Sequence, residues 1–294
     1  MRTLTYTAGA SDEGRTVRDI MLHHYHLVGH DVARAKFITR RGITVNGEEV
    51  RVSRVLAPGD LVEIRLDDGP SERIYPVPGP LEVLYEDEDL ICLNKPSGLC
   101  VHPSHGHFSD TMANYLAHYF NEKGEPHECR VAGRLDKETS GVICFGKSRS
   151  SVAILTRQSE RGIRRKIYLA LCEGDFPENE GRIELPIERE FTDMQKRVAR
   201  EGGDYALTFY RVRQRYEGYA LVELEIATGR THQIRVHMSH IGHPLVGDAL
   251  YGHAGSFGME RTALHAAVSE FDQPFTGERI RVEAPMPEDM ARLV

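Results

Sequence analysis

The sequence predicts an α+β protein: a mixed, mainly antiparallel sheet flanked by helices, preceded by a small α/β module. Three observations carry this reading. From residue 81 onward strand signals dominate over helical ones. Before residue 67, two short helical stripes and a few short strands make a unit of their own. Between them, the stretch 69–80 holds four prolines and reads as a linker. The expected division is a module over 1–67, a linker over 68–80 and a larger domain over 81–294.

The elements follow in order. Val17, Ile20 and Met21 recur at helical spacing, as do Ala33, Phe37 and Ile38 after a break at Gly29 to Asp31, and Gly42 ends that second helix. Residues 43–50 read as a hairpin, because Asn46-Gly47 supplies the positive φ angles of a type I′ turn. After a Pro58-Gly59 turn, Val62, Ile64 and Leu66 alternate with Glu63 and Arg65 as a strand. In the larger part, 81–85 and 90–94 form a hairpin that Lys95-Pro96 stops. Met112, Tyr115, Leu116 and Tyr119 make a helical stripe with Asp110 as N-cap. Further strands fall at 142–145, 167–172, 207–212 and 219–226, and Ile234, Met238 and Ile241 share one face of a helix from Thr231 to Gly242.

At 294 residues, with 40% apolar and 28% charged residues, the chain can bury a substantial core. No apolar run approaches membrane-spanning length, and the first ten residues lack the order of a signal peptide. Five cysteines without a CxxC pair read as reduced thiols in a cytoplasm. The net charge of −7 excludes a protein coated in basic residues. Local density matters more, since phosphate contacts come from one face. Residues 147–166 carry a balance of +6, and 34–41 hold Arg34, Lys36, Arg40 and Arg41 without an acid. Two such clusters in an acidic chain point to an anionic partner, although charge runs are commonly solvated faces.

The loop Gly133-Arg-Leu-Asp-Lys-Glu-Thr-Ser-Gly141 stands before an apolar strand, a usual place to display a reactive group. It closely resembles the signature loop of the RluA/RluD-type pseudouridine synthases. Tyr85-Glu-Asp-Glu-Asp-Leu-Ile-Cys-Leu-Asn-Lys-Pro-Ser-Gly98, Arg165-Lys-Ile-Tyr-Leu-Ala-Leu-Cys-Glu-Gly174 and Gly229-Arg-Thr-His-Gln-Ile-Arg-Val-His-Met238 resemble further motifs of that family. So do Gly242-His-Pro-Leu-Val-Gly-Asp248, Tyr251-Gly252, Leu264-His-Ala266 and Ala284-Pro-Met-Pro287. Ala33-Arg-Ala-Lys-Phe-Ile38, Val45-Asn-Gly47 and Pro58-Gly-Asp60 resemble an S4 RNA-binding domain.

The resemblance implies isomerisation of uridine to pseudouridine in structured RNA, and the S4-like module favours ribosomal over transfer RNA. That conversion changes no redox state, so no cofactor is expected; no metal is expected either, and a monomer is the default expectation. The resemblance makes Asp136 the catalytic carboxylate, Arg235 the cation paired with it, and Tyr168 the ring that stacks on the uracil, with a hydroxyl able to assist proton removal. A carboxylate can attack as a nucleophile or stabilise charge on the ribose. Arg134 would fill the space of an extruded base, and Ile234 would pack in the pocket or under it. The run including Arg164, Arg165 and Lys166 would hold flanking phosphates, joined by Arg34, Lys36, Arg40 and Arg41 of the module. Most relatives have His where Gly133 stands, and the missing side chain bears on loop stiffness and substrate preference.

Two other readings compete. His102-x-x-His105-x-His107 and His237-x-x-His240-x-x-His243 have spacing suited to a metal-dependent hydrolase. A non-catalytic RNA-binding or assembly protein could share the same fold.

Overall fold

The structure, a computed structural model, describes residues 2–38, 42–66, 69, 74–191 and 196–294. The first unit is a four-stranded sheet of order β1-β4-β2-β3, from β1 (Arg2–Thr7), β2 (Ile43–Val45), β3 (Glu48–Glu49) and β4 (Leu61–Leu66). The sequence reading had not found β1, which pairs antiparallel with β4 along its whole length. Packed on this sheet are α1 (Val17–Asp19), continued by a π turn over Ile20–His24, and α2 (Gly29–Phe37). Helix α2 begins at the expected break. Its buried residues are Asp31, Val32 and Ala35, while Phe37 is 82% exposed, so the helix is turned relative to the Ala33–Phe37 stripe. The unit has its own core, including Leu4, Ile20, Val32 and Ile64.

The second unit is a ten-stranded sheet. Its strands are β5 (Glu82–Glu86), β6 (Leu90–Lys95), β7 (Arg130–Val131), β8 (Ser140–Gly146), β9 (Arg165–Glu173), β10 (Glu180–Glu184), β13 (Leu207–Tyr216), β14 (Tyr219–Ile226), β15 (Leu264–Asp272) and β16 (Arg279–Glu283). A separate ribbon joins β11 (Ile187–Arg189) to β12 (Arg197–Ala199). The main path runs β10-β13-β14-β9-β15-β8-β6-β5. Among the described strand pairs of this sheet only the short β8–β15 contact is parallel, so the mainly antiparallel expectation holds. Helices α3 (Met112–Glu122), α4 (Arg149–Glu160), α5 (Gln233–His240) and α6 (Glu288–Ala291) complete the unit. Thr111, rather than Asp110, caps α3. Helix α4 lies inside the basic run, where Ile154 and Leu155 face inward behind the charges. Among the described residues no helix is long and apolar enough to cross a membrane.

The two units touch through specific polar groups. The buried Asp31 carboxylate accepts from Ser150 N–H (2.8 Å) and Ser150 Oγ (2.5 Å), and Val28 N–H donates to Ser150 Oγ (3.1 Å). Arg157 donates to the His26 carbonyl (3.0 Å), and Phe275 meets the Tyr25 ring edge-on at 6.2 Å.

Candidate active site

The site gathers at one end of β8, β9 and β15, under α5. Gly141 brings β8 into place: its φ is 106°, and a Cβ there would meet the Ala266 carbonyl oxygen at 2.2 Å. Only glycine allows β8 to lie so close to β15. The preceding loop turns at Asp136, whose carbonyl accepts from Thr139 N–H (3.2 Å). Residues 95–98 clamp this loop from behind. Gly98 N–H and Lys95 Nζ both donate to the Lys137 carbonyl (2.9 and 2.8 Å), and Ser97 Oγ donates to that of Glu138 (2.7 Å). Lys95 is fully buried, with two more donations to Pro96 and Leu99 carbonyls (2.8 Å each), and burial lowers its pKa to about 8.

Asp136, half-buried, faces Arg235 Nη1 at 3.7 Å and His232 Nε2 at 3.9 Å. The expected Asp136–Arg235 pair exists as a through-space pair; the direct hydrogen bonds of Arg235 go elsewhere. Its Nε and Nη2 donate to the two oxygens of Asp248 (2.6 and 2.8 Å), a two-pronged grip at a fully buried carboxylate. Asp248 also accepts from Leu250 and Tyr251 N–H groups (2.9 and 3.0 Å), and the Tyr251 ring lies 5.0 Å from the guanidinium carbon. Burial opposes the charge of Arg235, yet the Asp248 contacts outweigh it and its pKa rises. Upstream, His232 caps α5 in the left-handed region (φ 57°), and the buried Gln233 ties the loop to β13 through the Leu207 carbonyl and Thr208 Oγ1 (3.0 Å each).

Tyr168 projects from β9 and is 5% exposed; burial pushes its phenol well above the ordinary value, so it is protonated at neutral pH. It offers a ring and a donor rather than a ready base. Ile234 is buried beside it in the same apolar cluster. Lys166, half-buried on the same face of β9, has its pKa lowered to about 7 by burial and then by Arg164. Exposed Arg134 donates to Thr231 Oγ1 across the opening (2.6 Å). Arg134, Lys166, Tyr168 and Ile234 line one cavity of about 200 Å³ together with Asp136 and Arg235. A groove of about 380 Å³ continues from it, edged by Arg134, Arg189, Arg197 and Arg230 against Glu188 and Asp204.

The basic run does not act as a block. Arg164, just before β9, is buried and donates to the Ala132 carbonyl (2.7 Å), while Arg165, the first residue of β9, turns outward onto both oxygens of Glu225 (2.9 and 2.7 Å). The phosphate-holding expectation for Arg164 and Arg165 is therefore corrected. Arg34 and Lys36 stand exposed on α2, while Arg40 and Arg41 lie outside the described residues. The histidine spacing does not converge. His237 uses both ring nitrogens on Thr208 Oγ1 and the Leu185 carbonyl (2.9 Å each), and His243 stacks on Phe176 at 3.8 Å. Among the described residues, no three His, Cys, Asp or Glu side chains form a metal-holding group. Sequence reading missed the roles of Lys95, Gln233 and Asp248, although all three stand inside motifs it had singled out.

The sequence profile of the RNA pseudouridylate synthase family matches residues 89–240. The RNA pseudouridine synthase YhcT of Bacillus subtilis is 39% identical over 259 residues, 87% of this chain and 85% of that protein. The ribosomal large subunit pseudouridine synthase D of Xanthomonas campestris is 37% identical over 264 residues, covering 85% of this chain and 79% of its own. Among solved structures, human RNA pseudouridylate synthase domain containing 1 superposes with a TM-score of 0.58 at 28% identity, over 71% of this chain and 86% of that one. The chain thus belongs to the RNA pseudouridylate synthase family, and it is a pseudouridine synthase, an isomerase.

Proposed function

We propose that this enzyme isomerises uridines in structured RNA, large-subunit ribosomal RNA before transfer RNA, with Asp136 as the acting carboxylate. The observation that carries the reading is the Asp136 carboxylate in one small cavity with Tyr168 and an Arg235 pinned by Asp248. At about 200 Å³ the cavity is below the usual size of drug-binding pockets and suits a single pyrimidine ring. The ribosomal target rests on relatives named for the large ribosomal subunit.

In the reaction the N1–C1′ bond breaks, the base turns, and C5 joins C1′; the C5 proton leaves and N1 gains one. No electron is exchanged, so no redox cofactor is required. A carboxylate that bonds to the sugar or removes a proton from it must be ionised, and the Arg235 guanidinium faces it at 3.7 Å. The Tyr168 ring stacks on the uracil, and Ile234 supports it from the apolar side. A uridine stacked in a helix must first leave it, and Arg134 at the cavity mouth is placed to enter the gap. Arg189, Arg197 and Arg230 then lie along the flanking backbone, and Lys166 meets the target nucleotide. Residues 1–67 act as an S4-like RNA contact through Arg34, Lys36, Arg40 and Arg41, in a cytoplasmic monomer.

Asp136→Asn is expected to abolish pseudouridine formation while RNA affinity stays close to wild type. Mapping pseudouridine across total RNA from cells with and without the active protein reads both target and chemistry; residual turnover within about tenfold of wild type would refute the role of Asp136. Replacing Arg40 and Arg41 together by Glu is expected to weaken binding to structured RNA and flatten its salt dependence, and an unchanged slope removes the module from the contact.

A further inference from the structure

The β6–β8 ladder holds a pair of thiols that the isomerisation does not use. Cys92 and Cys144 stand directly opposite each other in antiparallel register and turn to the same side, in one apolar cluster with Leu90, Val142 and Phe271. Opposed residues of such a ladder have Cα atoms about 4.5–5.5 Å apart, inside the span of a disulfide. The sulfur atoms are 2.7 Å apart, with Cys92 donating to Cys144. That is well inside ordinary contact for two sulfurs. Cys100, Cys129 and Cys172 are free thiols as well, without this arrangement.

The surroundings give Cys144 thiolate character. Arg164 is buried nearby, its Nε lacks a hydrogen-bond partner among the described residues, and Lys166 shares the same wall. The Cys92 donor and then the Arg164 guanidinium hold the Cys144 thiol below its ordinary value against the cost of burial. A void of about 20 Å³ touches Cys144, Arg164, Lys166 and Ser269 and extends to Tyr168 and Arg134 on the wall of the active cavity. It has room for about one water-sized molecule. Hydrogen peroxide is of that size class; bulkier oxidants are not.

We propose that Cys92 and Cys144 are a site of oxidative modification, closing to an intramolecular disulfide when hydrogen peroxide enters this void. The Cys144 thiolate attacks one peroxide oxygen, the O–O bond breaks, and the departing hydroxide takes a proton to become water. Cys144 is then a sulfenic acid. The Cys92 sulfur attacks the Cys144 sulfur, the S–O bond breaks, and the hydroxyl leaves as a second water with the Cys92 proton. Two thiols and one peroxide give one disulfide and two waters, with two electrons passing from sulfur to peroxide oxygen.

The test is peroxide treatment of the folded full-length chain in a Cys100→Ser background, followed by acid quench, alkylation and peptide mapping without reductant. A peptide pair linking residues 92 and 144 is expected, lighter than the separate thiol peptides by about 2 Da and restored by reductant. In Cys92→Ala, Cys144 is expected to stop at the sulfenic acid, which dimedone added together with denaturant after the peroxide is removed then traps. Circular dichroism establishes that this variant is folded. The proposal is overturned if both thiols remain alkylatable at a peroxide dose that oxidises Cys100 in the parent chain. It is also overturned if the 92–144 link forms only after denaturation.

Discussion

The cavity and the contact between the two units hold their parts in opposite ways. At the cavity, buried charges do the holding: Asp248 grips Arg235 with two short bonds, and the Lys95 ammonium satisfies three carbonyls, one of them in the Asp136 loop. At the contact between units, two buried carboxylates take part: Asp31 accepts two donors from Ser150, and Asp89 faces Arg2 Nε of β1 at 3.2 Å, supported by Arg157 on the His26 carbonyl and by one ring contact. A charge buried among fixed partners has few alternative positions, so the first arrangement gives a geometry set before substrate arrives. The second joins two units that each have their own core, so it can open while both cores stay intact.

The largest effect is expected at Asp248. Asp248→Ala leaves the Arg235 guanidinium buried without its main partner, which should cost about 3–5 kcal/mol of unfolding free energy and most of the activity. Urea unfolding and single-turnover isomerisation check it. Replacing the pair together, Arg235→Met with Asp248→Leu, should recover much of the stability and none of the activity. If the double variant is as unstable as the single one, the loss belongs to packing and the contrast between the two regions fails.

A smaller effect is expected at the contact. Asp31→Ala strands the Ser150 N–H and should cost about 1–2 kcal/mol, with faster hydrogen exchange in α2 and in the first turn of α4. Turnover on a short RNA substrate should stay near wild type. A collapse of turnover would mean that the first unit helps to shape the cavity.

The smallest effect carries the opposite sign. Lys166 has its pKa lowered to about 7 from 10.5, so the unfolded chain keeps the proton over a range where the folded chain has lost it. A group that binds fewer protons when folded adds stability as pH rises, here from about 7 toward the unfolded value. Lys166→Met should therefore raise stability at pH 7 by about 1 kcal/mol and remove that rise, while RNA affinity falls. Thermal melts across pH 6 to 10 read the slope (buffers of matched ionic strength keep surface charges constant), and an unchanged slope assigns it to another group.

Much of this was legible in the chain. The residues Asp136, Tyr168, Ile234 and Arg235 were singled out from separate stretches, and one cavity receives all four. The antiparallel character was legible because alternation survives where one face of a strand is buried. Other features were hidden for physical reasons. Helix α4 was overlooked because its stretch was read only for charge, and its apolar residues, Val152 to Leu155, are contiguous rather than spaced at a helical period. Asp248 carries no periodic signal, and its partner could be found only once α5 and the turn after it were folded together. The opposite fates of Arg164 and Arg165 depend on where β9 begins between them, which a count of charges ignores. β1 was missed because Thr3, Thr5 and Thr7 face outward around a single fully buried leucine, Leu4, too weak a pattern to register alone.

The ten-stranded sheet ends at β10, and an open end offers unpaired backbone to any passing chain. Glu180, Arg182 and Glu184 stand exposed along that strand, with Arg211 of β13 paired to Glu180 and Arg182 to Glu184. Another strand approaching this edge would have to strip water from a row of charges before its first backbone bond formed. The sheet can therefore stay unclosed without templating aggregation.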